Sequence, residues 1–232
     1  METFPFFMTS VWPRSSIGKK ALMAISGLVL VGFVIAHLLG NLLIYAGPEA
    51  INAYAQKLQD LGPLLWGARF VLLAAVIIHL VASIQVTLEN RAARPTSYRA
   101  TQTAQTTLGA QTMMVSGVLL VAFIVYHLLH FTFGVAHPEF SQGIDAVGRH
   151  DVYTMMVMSF TNPYISLAYV VGVAVLCFHL GHGIESACQS LGLNNARTIE
   201  KMTYVGRLLA LALFIGYVSI PLSILLGFVT LG

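Results

Sequence analysis

The sequence predicts an all-α fold: an integral membrane bundle of five transmembrane helices, with the N-terminus cytoplasmic and the C-terminus outside. Three observations predict it. The chain of 232 residues is 57% hydrophobic and 9% charged, with a mean hydropathy of +0.79, whereas a soluble domain carries about 25% charged residues. Five apolar runs reach the ~20 residues that a helix needs to cross a hydrocarbon core of ~30 Å. Cations gather in alternate connections between those runs, as the positive-inside rule requires of cytoplasmic segments. The expected organisation is a cytoplasmic interfacial segment, residues 1–20, followed by a single transmembrane domain, residues 21–232.

The five runs cover residues 21–45, 63–88, 108–134, 163–184 and 204–231. Each must be helical, because lipid offers no partner to backbone polar groups. The first run is longer than the apolar part of a signal peptide and ends in no clear small-x-small cleavage site, so it is read as a mature helix. Ahead of it, Phe4, Phe6, Phe7, Met8, Val11 and Trp12 stand beside Arg14, Lys19 and Lys20, a mixture that suits a membrane interface or the surface of a soluble partner. Arg91, Arg94 and Arg99 separate the second and third runs, and Arg197, Lys201 and Arg207 surround the link to the fifth. The other two connections are poorer in cations and hold Glu49, Asp60, Glu139, Asp145 and Asp151. All three cation-rich segments therefore fall on one side.

In the first outer connection, residues 47–58 pair an early Pro48 with helical apolar spacing, which predicts a short surface helix. In the second, residues 150–160 read as another amphipathic piece, bounded by Asn162-Pro163. No repeat of solenoid type and no low-complexity tract is present. The basic residues stand singly at helix ends, which gives no nucleic-acid patch. Cys177 and Cys188 are about three turns apart on one helix, cannot pair there, and read as small core residues.

Four histidines lie inside the runs: His37, His79, His127 and His179. An ionisable residue at that depth is costly and marks function. At ~1.5 Å per residue, His37 is roughly 25 Å beyond Lys20, and His127 is about as deep in a helix that also starts inside. His79 and His179 lie roughly 15 Å from the inner face. The histidines thus sort into an outer pair, His37 with His127, and an inner pair, His79 with His179, each joining two helices. Two imidazoles approaching one iron from opposite sides is what bis-histidine haem ligation needs, so the expectation is two haems b stacked across the bilayer, roughly 10–15 Å apart. The bland alternative for any one of them is an interhelical hydrogen bond. A zinc site would want ligands at one depth with acidic or thiolate partners, and those are lacking.

His182, three residues after His179, is the rival for the inner ligand. His130 reads as an interfacial residue, with contact to a haem propionate or a quinone as the alternative; His137 and His150 read as solvated. Glu49, Asn52 and Tyr54 share the depth of the outer histidines and are candidates, with His130, for a quinone or proton site. Glu185 stands near the inner end of the fourth run. Arg69 and Arg207 are candidate propionate partners, although snorkelling at a helix end explains them as well. Small residues stand near the ligands: Ser26, Gly27, Gly32, Gly40, Gly109, Ser116, Gly117, Gly172, Gly181 and Gly183. They suit ordinary helix packing or room for a flat macrocycle. No catalytic residue is assigned.

From about Ser16 to the end, the chain resembles the cytochrome b subunit of succinate dehydrogenase and fumarate reductase in its five-helix dihaem form. The resemblance is carried by Ile17-Gly18-Lys19-Lys20, Gly27-Leu28, His37-Leu38-Leu39-Gly40-Asn41-Leu42, Asn52-Ala53-Tyr54, His79, His127 and residues 178–186, Phe-His-Leu-Gly-His-Gly-Ile-Glu-Ser. It implies axial ligands at His37, His79, His127 and His179, one from each of the first four helices. It further implies a non-catalytic electron-transfer and quinone-binding subunit of an oxidoreductase complex in a bacterial inner membrane. Such a subunit anchors a flavoprotein and an iron–sulfur protein on the cytoplasmic face and passes electrons to or from a quinone, often menaquinone. Some members carry a carboxylate two residues before the ligand of the fourth helix. Here that position is Cys177, so a transmembrane proton route of that kind is not expected.

The chain itself has no flavin fingerprint, no iron–sulfur cysteine cluster and no dicarboxylate site, so succinate chemistry would belong to partners. Two other classes compete. A dihaem anchor of another respiratory dehydrogenase tends to place two histidines on one helix. A haem-free transporter with a histidine relay usually shows broken helices and inverted repeats.

Overall fold

A computed structural model describes residue 13 and residues 15–92, 108–193 and 199–231. Phe4 to Trp12, Arg14, Arg94, Arg99 and Arg197 lie outside the described residues. Five helices are long and apolar enough to cross a membrane, which makes this a multi-pass membrane protein. Among the described residues there is no strand, only an isolated bridge between Ile144 and His150.

Helix α1 spans Ser16–Asn41 and starts where the Ser15 hydroxyl accepts from the Gly18 N–H, a side-chain N-cap. Residues 16–20 of the expected interfacial segment are thus its opening turns. A 3₁₀ turn, Leu42–Ala46, leads to α2, Pro48–Asp60, the expected short helix, with Pro48 in its first turn. Then come α3, Pro63–Ala92, and α4, Leu108–His127, which passes into a π-helical turn at Leu128–Thr132. One short turn, α5 (Pro138–Ser141), precedes α6, Val152–Thr161, and α7, Pro163–Ser190. The α6–α7 joint is made by Asn162, whose side chain accepts from the N–H groups of Tyr164 and Ile165.

The last helix, α8, spans Ile199–Leu225, ending short of the expected residue 231. Pro221 lies in its final turns and removes a backbone donor. Gly227 then takes φ +75° while Gly227 N–H bonds Ile224 and Phe228 N–H bonds Ser223, a glycine-based helix stop.

Backbone packing joins α1 to α3, α1 to α7, and α7 to α4, while α8 lies mainly along α7. Among the first four long helices the close packing therefore runs in the order α3, α1, α7, α4. The diagonal pairs are α1–α4 and α3–α7, and among the described residues neither of them, nor the pair α3–α4, is close-packed. Close approach along the edges depends on missing side chains. A Cβ at Gly172 would fall 2.4 Å from the Phe123 ring, and one at Gly40 would fall 2.6 Å from the Tyr54 ring.

Two polar fastenings close the ends. At one, Lys19 forms an ion pair with Glu89, and Ser16 Oγ donates to Glu89 at 3.3 Å, tying the start of α1 to the end of α3. At the other, Arg149 donates to both oxygens of Glu49 on α2, at 3.0 and 2.6 Å, and to Asp145 at 2.7 Å. Asn52 is 2% exposed. It donates to Asp151 at 3.0 Å and accepts from the Tyr153 N–H at 3.0 Å, so α2 is stitched to the start of α6. The hydrogen bonds and charge of Arg149 hold the Glu49 carboxyl below its ordinary value, and Glu49, then Asp145, push Arg149 up.

Two outcomes are expected. Gly172→Ala destabilises the bundle by ~1–3 kcal/mol, the usual cost of overpacking, read as a lower thermal midpoint in detergent; an unchanged midpoint contradicts the close approach of α4 and α7. Because the Glu49 pKa is depressed, its stabilising effect is complete above its ordinary value of 4.5 and fades as pH falls through the folded value. Acidification from about pH 5 to pH 3 should therefore cost the unmodified protein more stability than Arg149→Ala, and equal slopes would dismiss the fastening.

Candidate functional site

Four imidazole rings occupy the diagonals. His37 on α1 faces His127 on α4, with ring centroids 5.7 Å apart and planes at 82°. His79 on α3 faces His179 on α7, with centroids 6.5 Å apart and planes at 68°. All four are half-buried. The pairs lie at different levels. Gly27 is so close to His79 that a Cβ there would be 3.1 Å from the ring, and His37 stands ten residues further along the same helix. Gly117 lies beside His179, 3.8 Å from a built Cβ, and His127 is again ten residues further. Ten residues of helix are ~15 Å.

The inner rings are fixed by their second nitrogens. His79 Nδ1 is 3.0 Å from the Met23 carbonyl, which can only accept, so Nδ1 carries the proton and Nε2 keeps its lone pair. His179 Nδ1 is 2.9 Å from Ser116 Oγ. That hydroxyl donates to the Met113 carbonyl at 3.0 Å, so it accepts from His179, and the same tautomer follows. Such a backing partner is the usual companion of a metal-ligating histidine. The outer rings are flanked by aromatic side chains: Phe33 stacks on His37 at 5.3 Å, and Phe123, Phe131 and Tyr169 surround His127 at 5.8–6.3 Å.

A metal–imidazole bond is ~2 Å, and about 1 Å more separates the nitrogen from the ring centre. Two imidazoles on opposite sides of one metal thus have centroids ~6 Å apart, which both pairs match. Among the described residues no group of three or more His, Cys, Asp or Glu is placed to hold a metal ion. Two axial nitrogens without equatorial protein donors suit a metal that brings its own planar ligand rather than a bare ion. The space between the paired rings is where such a plane would stand, so the residues fit the haem expectation.

The remaining candidates fall elsewhere. His130, expected at the interface, is 1% exposed. Its Nδ1 is 3.0 Å from the Tyr169 hydroxyl and its Nε2 is 3.0 Å from Ser159 Oγ. Ser159 donates to the Met155 carbonyl, so Nε2–H donates to Ser159 and Nδ1 accepts from Tyr169. The π-helical turn beginning at Leu128 widens the helix there and re-aims the residues beyond His127, which a steady 3.6-residue count does not anticipate. His137 is not simply solvated: it stacks on Phe140 and meets the His130 ring at 4.8 Å. Glu49 and Asn52 belong to the Arg149 fastening, and Tyr54 packs on Gly40. Arg69 is exposed and lies 4.9 Å over the Trp66 ring, and Arg207 is exposed on α8. Cys177 is buried. The ring facing His79 is that of His179.

The chain also carries an internal repeat. MAISGLVLVGFVIAHLL, residues 23–39, recurs as MMVSGVLLVAFIVYHLL, residues 113–129. Pro63 opens α3, and Pro163 opens α7, the same number of residues ahead of His79 and His179. The unit α1–α3 is therefore repeated as α4–α7, and the histidines at matching places in the two units face each other, His37 with His127 and His79 with His179. This duplication identifies Met23, Ser26, Gly27 and their counterparts Met113, Ser116 and Gly117 as neighbours of the inner pair.

Comparison with protein-family models, with curated proteins and with solved structures finds no match to this chain.

The buried cluster at His130 makes its own prediction. Tyr169→Phe removes a hydrogen-bond partner from a fully buried imidazole, at a cost of about 1–3 kcal/mol. The thermal midpoint should fall, and a neutral result would mean that His130 finds another partner.

Proposed function

We propose that this chain is a dihaem cytochrome b: a membrane anchor that carries electrons between an iron–sulfur partner and a membrane quinone, of the succinate dehydrogenase and fumarate reductase type. The observation that carries the reading is the pair of imidazole couples, each spanning a diagonal of the bundle at the separation of two axial ligands, ~15 Å apart along the helices. His37 and His127 would hold one haem b, and His79 and His179 the other. Each iron, when bound, supplies a one-electron ferric–ferrous couple.

The chain's own part is to hold, space and insulate. Nδ1–H of His79 and of His179 is engaged, so Nε2 of each inner ring is the nitrogen left to bind iron. Phe33, Phe123, Phe131 and Tyr169 keep the surroundings of the outer rings apolar, and burial of that kind helps to set redox potential. No acid–base or nucleophilic group is assigned. The chemistry of succinate and fumarate would belong to a flavoprotein on the cytoplasmic face, and the quinone, with menaquinone the class the resemblance suggests, is the membrane-side substrate. A bacterial inner membrane is the proposed location.

A reduced-minus-oxidised spectrum of the purified protein tests this first: two haems b per chain are expected. His37→Ala or His127→Ala should then halve the haem, and so should His79→Ala or His179→Ala, with the two sets losing spectrally different components. Absence of a haem band, or loss of both haems from every single substitution, overturns the assignment.

A further inference from the structure

The repeat makes the two inner ligands comparable, and they are not backed alike. We propose that Ser116 is a positioning residue for the inner iron, one that makes His179 a different ligand from His79. This rests on the dihaem reading above.

Ser116 and Ser26 hold the same place in the two units, each one residue before a glycine that lies against the inner ring of its own unit. Their hydroxyls behave differently. Ser26 Oγ donates to the Leu22 carbonyl at 2.7 Å, with the Met23 carbonyl at 3.1 Å, and His79 Nδ1–H reaches the Met23 carbonyl directly. On the other side Ser116 is interposed: its hydroxyl donates to the Met113 carbonyl and accepts from His179. His79 is thus backed by a peptide oxygen, and His179 by a hydroxyl polarised by its own hydrogen bond to a carbonyl. Ser116 is 5% exposed, so water has little room to replace it.

An acceptor on Nδ1–H raises the basicity of Nε2 and fixes the ring's rotation. A more basic ligand favours ferric iron. Removing the acceptor should therefore raise the midpoint potential of the inner haem and loosen the orientation of one of its two imidazole planes. The outer pair, about ten residues away along the helices, provides a control within the same molecule.

The experiment uses the intact complex from membranes carrying the unmodified chain, Ser116→Ala or Ser116→Thr. Haem per chain, a redox titration and the low-temperature EPR spectrum of the ferric state are read. The inner component is the one missing in His79→Ala. Ser116→Ala is expected to keep both haems, shift the inner ferric–ferrous equilibrium about tenfold toward ferrous iron, or ~59 mV for one electron, and move only the inner EPR signal. Ser116→Thr keeps the hydroxyl and restores both readouts. Loss of the inner haem alone from Ser116→Ala, with its return in Ser116→Thr, supports the same role. Two haems with unchanged potentials and signals in Ser116→Ala overturn this inference alone, as does a Ser116→Thr protein that behaves like Ser116→Ala. An unmodified protein without haem overturns this inference and the reading beneath it together.

Discussion

Everything in this molecule follows from placing imidazoles where no water can solvate them. A lone ring nitrogen in hydrocarbon is costly, and in this bundle the described rings are arranged against one another and against carbonyls and hydroxyls of neighbouring helices. The inner pair meets this demand with Met23 and Ser116, and His130 meets it with Tyr169 and Ser159. Among the described residues no buried side-chain polar atom is left without a partner. The same hydrogen bonds that make the inner histidines tolerable also leave the lone pair of each on Nε2.

The helices serve that arrangement through what they lack. Glycines at positions 40 and 172 bring neighbouring elements to contact, and those at 27 and 117 let the inner rings lie against the helix backbone. Gly32 and Gly183 have open space beside them.

The five spans were legible because hydrophobic length is a blunt and additive signal, and the pairing of His37 with His127 and His79 with His179 was legible because depth can be counted along a helix. Counting fails where the helix changes its own pitch. The π-helical turn after His127 carried His130 from an expected interface into the interior. Gly227 ended α8 earlier than its apolar run did. Depth alone also grouped Glu49, Asn52 and Tyr54 with the outer histidines. Lateral position separates them: an arginine far along the chain, Arg149, engages Glu49, and Asn52 caps a helix start. No local pattern announces such a long-range partner. The duplicated unit was legible, yet it shows only when two helices ninety residues apart are laid side by side.

That duplication has a consequence for how the molecule can be divided. Each level takes one ring from the first unit and one from the second, so neither half owns a complete imidazole pair. A polypeptide severed between the units would leave one fragment with two long helices and one with three, each carrying a single ring of each pair. Under the proposed dihaem reading, haem capture would then report reassociation of the fragments.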